Sequence, residues 1–201
     1  MKVHPSAEVE EGVAIGDGTA VWSRVHIRSG ATIGRDCIIG EGTYIAGEVV
    51  IRDRVKVNAM AYLCSGLTLE DGVMVSAGVI FTNDRYPRAT TPDLTELRTS
   101  DVDEHTRPTL VREGATIGAG AVIGSGLVVG RFALVGMGSV VTREVPDFHL
   151  VVGNPARSIA AVCRCGEPIA RFTTGAAVDV DATCPACRRT YVIRQRRVEE
   201  P

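Results

Sequence analysis

The chain has 201 residues, a formal net charge of −2 and only 4% aromatic residues. Near-balanced charge gives no electrostatic case for nucleic acid or an anionic membrane as the main partner. No apolar run approaches the ~18 residues of a membrane span, and the opening MKVHPSAEVEEG lacks the basic and apolar regions of a signal peptide. A cytoplasmic protein is the expectation, and there the six cysteines would stay reduced or bind metal.

From Val3 to Phe81 every sixth residue is apolar and mostly β-branched, running Val3, Val9, Ile15, Val21, Ile27 and onward through Val75. The rhythm returns at Val111 and continues through Ile117, Ile123, Val129, Val135 and Val141. Four residues after each anchor the side chain is small or aliphatic, as at Ala7, Val13, Thr19 and Ala31, and glycine often precedes that position, as at Gly12, Gly18 and Gly30. This pattern predicts an all-β fold, a parallel β-helix in which each hexad is a short strand plus a corner. The anchor fills the interior, and glycine accepts the backbone angles of the corner. Successive coils would stack about 4.8 Å apart. The period alone does not fix the number of faces.

On these residues, from 3 to about 160, the chain resembles the hexapeptide-repeat acyltransferases. The resemblance implies 18-residue coils of triangular section that wind left-handed. That hand runs against the usual right-handed crossover, so it comes from the resemblance and not from the residues. It also implies a homotrimer with active sites in the clefts between subunits. The expected division is a β-helix over 1–160, with a loop at 82–110, and a small C-terminal module over 161–201.

Residues 82–110, TNDRYPRATTPDLTELRTSDVDEHTRPTL, interrupt the rhythm and read as an extruded loop. Loops this long in compact domains tend to be functional or disordered. The segment FTNDRYPRA, Phe81 to Ala89, resembles the F-T-N-D-x-Y-P-R-A motif of bacterial nucleotide-sugar N-acetyltransferases; LTLEDGV at 67–73 and AVWSRVHI at 20–27 resemble the same family. The resemblance implies acetyl-CoA-dependent acetylation of the amino group of a UDP- or dTDP-linked amino sugar. Asn83 would be the catalytic residue that orients the amine, with Asp84, Tyr86 and Arg88 meeting sugar and phosphate or shaping the loop. Asp84 has a plainer reading as a turn cap.

With 18-residue coils, Ser65 lies one coil below Asn83. The chain has Cys64-Ser65-Gly66 where members of the family tend to have Tyr-Glu-Gly, and Ser76-Ala77-Gly78 where they tend to have Gly-Pro-Ser. A serine in place of the glutamate opens the pocket, so a different acceptor sugar is expected. His26 falls three coils below Asn83, about 14 Å along the axis. That is too far for proton transfer but suits the nucleotide end of the substrate; an exposed strand histidine is the alternative.

DFHLVVGNPARSI, residues 147–159, carries a V-G-N-P-A-R pattern that many hexapeptide acyltransferases show before a capping helix. Final coils in that family line the coenzyme A groove, which implies Ala119, Gly136, Met137 and Arg157 as coenzyme contacts. An end cap over a β edge is the simpler role for this stretch.

Cys163 and Cys165 are followed by Cys184 and Cys187. Four thiolates in two close pairs suit a tetrahedral structural zinc in a zinc ribbon, with no position open for substrate. Strands are expected at 177–180 and 190–193, and RQRRVEEP is expected to be a solvated tail. Two further readings stay open at this point. One is an O-acetyltransferase, which would normally want a histidine base, whereas His4, His26, His105 and His149 lack a catalytic context near Asn83. The other is a non-catalytic β-helix scaffold, which would not need the TNDRYPRA cluster.

Overall fold

The computed structural model describes residues 1–99, 101–172 and 179–201. The chain winds into a left-handed parallel β-helix. No described residue is helical, so no helix is long and apolar enough to cross a membrane. Most strands are two residues long and end on the sequence anchor, beginning with Lys2–Val3, Glu8–Val9 and Ala14–Ile15. Each strand pairs in parallel with the one 18 residues on: Lys2 with Ala20, Glu8 with His26, and Ala14 with Thr32. These three ladders are the three faces that the period alone left open.

Beyond the interruption Thr68 leads to Leu110, Met74 to Thr116 and Ile80 to Val122. Since 110 − 68 = 42, the spacing is one coil of 18 plus 24 inserted residues. The insertion leaves the register intact, which is why the hexads resume in phase. The strand Thr109–Val111 belongs to the coil, so the loop ends at 108 and not at 110.

All anchors from Val21 to Phe81 are buried in one apolar column with the small residues between them. Val3 and Val9 remain 37% exposed, because no coil lies beneath the first one. Corners repeat a left-handed backbone residue every sixth position, whatever its type: Gly18, Arg24, Gly30, Asp36, Gly42, Glu48, Arg54 and Met60 all have positive φ. The glycines are therefore the relaxed version of a conformation that the coil imposes on every residue in that phase.

The coil closes with an end cap over a β edge. In place of a capping helix, strands His149–Gly153 and Ala156–Val162 form an antiparallel hairpin, extended by Pro168–Arg171. It continues the first face and covers its last edge. Cys37 and Cys64 are both buried. The C-terminal module is a three-stranded antiparallel sheet of Val180–Thr183, Thr190–Arg194 and Arg197–Glu199. Part of the strand expected at 177–180, Ala177 and Val178, lies outside the described residues. The tail is not free in solvent: Val198 is buried, and Glu200 meets Arg164 at 2.6 Å and Arg189 at 3.6 Å. Phe148 and Ala161 of the coil end share one apolar cluster with Tyr191, Ile193 and Val198.

Candidate active site

The insertion leaves the corner after Ile80–Phe81 and folds back on itself. The Arg107 N–H donates to the Asn83 carbonyl at 2.8 Å, and single bridges join Asp84 to Thr106 and Thr90 to Leu97. Asp84 Oδ1 accepts from the Tyr86 N–H at 2.8 Å, which is the turn-capping role. Arg98, on the returning arm, donates to the Tyr86 carbonyl at 3.2 Å and stands 3.9 Å from Asp84 and 3.5 Å from Asp103. One guanidinium thus holds both arms of the loop.

Beneath the loop runs an open cavity of about 1090 Å³. Its wall is the second face of the prism, with Tyr44, Tyr62, Cys64 and Ser65; its roof is the loop, with Asn83, Asp84, Arg88, Arg98 and Asp103; its far end is Glu10, Arg28, Ser29 and Glu48. Ser65 sits at the same corner as Asn83, one coil earlier. Asn83 is half-buried, and its amide has no hydrogen-bond partner among the described residues, which leaves it available to a ligand. Arg88 is exposed, and among the described residues its guanidinium bonds only the neighbouring Pro87 carbonyl, at 2.8 Å.

Two expected binding residues stand apart from the cavity. Tyr86 is 62% exposed and packs against Arg85. His26 gives Glu10 a 3.0 Å hydrogen bond and meets the Tyr44 ring edge-on at 5.3 Å. Glu10 gathers that end together. It accepts from the Ser29 N–H at 2.9 Å and pairs with Arg28 Nε at 2.6 Å. The Ser29 amide, then His26, hold its carboxyl below the usual range. Asp103 is likewise held low, chiefly by the His105 N–H. Burial pushes the Cys64 thiol up to about 11, so it stays protonated at neutral pH. No histidine lines the cavity among the described residues.

The residues implied for coenzyme A lie elsewhere. The loop leaves the corner between the second and third faces, whereas Ala119, Gly136 and Met137 occupy the corner between the first and second. Gly138 there donates to the Ala119 carbonyl at 2.8 Å, and Met137 is 84% exposed. Arg157 is exposed on the terminal hairpin. One chain does not bring this set to Asn83.

In the C-terminal module Cys163, Cys165, Cys184 and Cys187 bring their sulfurs within 4.8 Å of one another. A tetrahedron with Zn–S bonds of about 2.3 Å has sulfurs about 3.8 Å apart, so the spacing fits a single ion. Backbone N–H groups of Cys187 and Ala186 pull the Cys184 thiol down to about 6, while burial pushes the Cys163 thiol up to about 12, so a bound cation would be needed to hold both as thiolates.

Residues 12–47 match the family described as bacterial transferase hexapeptide (six repeats), and residues 108–143 match the hexapeptide repeat of succinyl-transferase. Both matches fall within the stacked coils of the β-helix. Over 81 residues, 40% of this chain, it is 38% identical to the dTDP-3-amino-3,6-dideoxy-alpha-D-galactopyranose 3-N-acetyltransferase of Aneurinibacillus thermoaerophilus. Over 61 residues, 30% of this chain, it is 39% identical to the acyl-[acyl-carrier-protein]–UDP-N-acetylglucosamine O-acyltransferase of Brucella ovis. The matched stretches span 39% and 22% of those relatives.

Among solved structures, a hexapeptide-repeat acetyltransferase of Vibrio cholerae with acetyl coenzyme A superposes with a TM-score of 0.55 at 21% identity, covering 67% of this chain and 72% of that one. A mutant of AntD, an N-acyltransferase from Bacillus cereus, in complex with dTDP and coenzyme A gives 0.52 at 20% identity, covering 81% of each chain. These two likenesses establish the fold.

Several cavity residues escaped the sequence reading, among them Tyr44, Tyr62, Arg28 and Arg98. Tyr44 and Tyr62 follow His26 at 18-residue spacing, a column that the same coil arithmetic that placed Ser65 and His26 would have found. Arg28 follows His26 by two residues, and nothing in the hexad pattern separates it from other exposed arginines. Arg98 carries no signal, since its partners are set by the path of the loop.

Proposed function

We propose that this protein is an acetyl-CoA-dependent N-acetyltransferase acting on the amino group of a UDP- or dTDP-linked amino sugar. The observation that carries the reading is the unpartnered amide of Asn83 over a long polar cavity, at the start of the TNDRYPRA segment. Its sequence kinship with a dTDP-amino-sugar N-acetyltransferase supports the same substrate class.

In this reading the neutral sugar amine attacks the thioester carbon. A nitrogen–carbon bond forms, the carbon–sulfur bond breaks, and the nitrogen's proton finally goes to the departing sulfur. The Asn83 amide oxygen accepts a hydrogen bond from the amine and holds its lone pair toward the thioester, a contribution of orientation. Arg88 meets phosphate oxygens, and Ser65 leaves room for the acceptor sugar. Coenzyme A lies along the corner of Ala119, Gly136 and Met137 of a neighbouring chain, with Arg157 toward its phosphates, so the working unit is a homotrimer. The four cysteines hold one structural zinc ion, whose role is to fix the module.

The test is to supply acetyl-CoA with a panel of dTDP- and UDP-linked 3-amino and 4-amino sugars and follow release of free thiol and the mass of the sugar product. Acetylation of at least one amino sugar, with no transfer to its hydroxyl analogue, is expected. Transfer to hydroxyl acceptors alone would overturn the reading.

A further inference from the structure

The cavity extends well beyond the space an amino sugar needs. Asn83 stands at one end; Glu10, Arg28 and Ser29 stand at the other. Arg28 occupies the loop's own corner of the prism. Two residues before it His26 stands in the ladder that runs on through Tyr44 and Tyr62 to Ile80, so Arg28 lies three coils, about 14 Å, from the insertion. An extended amino sugar linked through a diphosphate to a nucleoside covers that span. An amino sugar alone does not.

The wall between the two ends is aromatic. Tyr44 and Tyr62 stack with centroids 5.2 Å apart and planes 8° from parallel. The far end is built and not merely open. Arg28 is held from two sides, by the Glu10 carboxylate at 2.6 Å through Nε and by the Tyr44 hydroxyl, to which Nη1 donates at 3.1 Å. Glu10 is fixed in turn by the Ser29 N–H and His26. A guanidinium has five N–H donors in a fixed fork, so the pre-aimed Arg28 keeps donors for a ligand oxygen. Long side chains lose entropy when immobilised by a ligand; here the chain's own contacts have already fixed the arginine.

We infer that Arg28, aimed by Glu10 and Tyr44, forms a subsite for the nucleoside diphosphate half of the substrate, donating to an acceptor oxygen of the base or of the diphosphate. This rests on the proposed nucleotide-sugar reading. It moves the nucleotide contact from His26, whose ring is spent on Glu10 and Tyr44, to Arg28.

Calorimetric titration of the full-length protein with dTDP and with UDP tests it, alongside Arg28→Ala and Tyr44→Phe. The wild type is expected to bind at least one of the two nucleotides. Arg28→Ala should weaken that binding tenfold or more, with acetyl-CoA binding and the melting temperature unchanged. Tyr44→Phe, which keeps the ring and removes only the hydroxyl that steadies Arg28, should weaken it severalfold; it also serves if Arg28→Ala fails to fold. Titration with thymidine and uridine, and separately with inorganic pyrophosphate, identifies the oxygen: the ligand whose binding Arg28→Ala weakens is the one Arg28 meets. Wild-type affinity for dTDP and UDP in both variants would overturn the subsite, as would a wild type that binds neither nucleotide. A wild type that binds a nucleotide through Arg28 yet transfers no acetyl group would overturn the proposed activity and leave the subsite standing.

Discussion

The Tyr191 ring meets Phe148 edge-on, centroids 5.6 Å apart and planes at 63°. Phe148 belongs to the end of the coil and Tyr191 to the cysteine module, so this contact welds the two. The Tyr191 oxygen also accepts the Arg164 N–H at 3.0 Å and stands 3.1 Å from the Cys163 sulfur. Zinc removal should therefore be felt beyond the module. Freshly purified protein is expected to hold one zinc per chain by elemental analysis, and a chelator should lower the melting temperature of the β-helix itself, because the coil end loses its cover. A metal-free preparation with the same melting temperature would dispose of the structural zinc.

The coil end also carries a pH-sensitive group. His149 is buried, donates from Nε2 to the Arg196 carbonyl at 2.8 Å, and has Nδ1 2.9 Å from the Ser158 hydroxyl. Burial, above all, lowers its pKa below the ordinary imidazole value. As pH falls through that value the unfolded chain takes up a proton that the folded chain refuses, so stability is lost on the acid side and is full above it. Melting temperature measured from pH 8 to pH 5 should fall toward the acid end. In His149→Gln that part of the fall should disappear; an unchanged profile would count against the assignment.

The β-helix was legible because its physics is periodic. A narrow column with one inward side chain per hexad forces the anchors that run from Val21 to Phe81, and all of them are buried. Other features follow coil geometry or loop path instead. Arg98 meets Asp84 and Asp103 because the inserted segment returns on itself, and no repeat position encodes that. Of the substrate-site residues, the sequence named Asn83, Asp84, Arg88 and Ser65, which the cavity gathers, together with Tyr86 and His26, which it does not. A capping helix after VGNPAR belongs to the pattern's context in other chains; here Gly153 turns the chain into a hairpin with Ala156.

The left-handed corner phase makes opposite predictions for two residues. Met60 has φ of 61° with its side chain 65% exposed, and Gly78 has φ of 68° with open space around a would-be Cβ. A non-glycine residue in that conformation costs on the order of 1–2 kcal/mol. Gly78→Ala should therefore lose about 1 kcal/mol or more. Met60→Gly should gain up to about that much, less the greater freedom of glycine in the unfolded chain. Chemical denaturation of the two variants checks the signs, and equal signs would show that contacts, not backbone, decide.

If the acetyl donor site is completed by a neighbour, defects at the two corners should complement. Light scattering is expected to give three chains per particle. Asn83→Ala and Met137→Arg, each strongly impaired alone, should recover part of the wild-type activity when co-expressed, because mixed trimers contain some clefts with both corners intact. No recovery in mixed trimers would mean that each chain uses its own two corners.

The loop makes the sharpest division between orientation and binding. Asn83 offers an amide too weakly basic to take a proton at neutral pH, and no histidine shares the cavity among the described residues. Under the proposed function its contribution is to hold the amine in line, and losing such placement costs roughly 10²-fold in turnover. Asn83→Ala should lower kcat by about that factor with acetyl-CoA affinity and oligomeric state unchanged. Arg98 acts one step back, as the positioning residue that ties the outgoing arm at Asp84 and Tyr86 to the returning arm at Asp103. Arg98→Ala should lower kcat less than Asn83→Ala does, and Arg98→Lys should restore part of the loss. Limited trypsin digestion should cut Arg98→Ala faster at Arg85 and Arg88, whatever the substrate. The opposite order, with Arg98→Ala the more damaging and the loop no more open to trypsin, would assign the arginine to direct contact with the substrate and remove Asn83 from the centre of the mechanism.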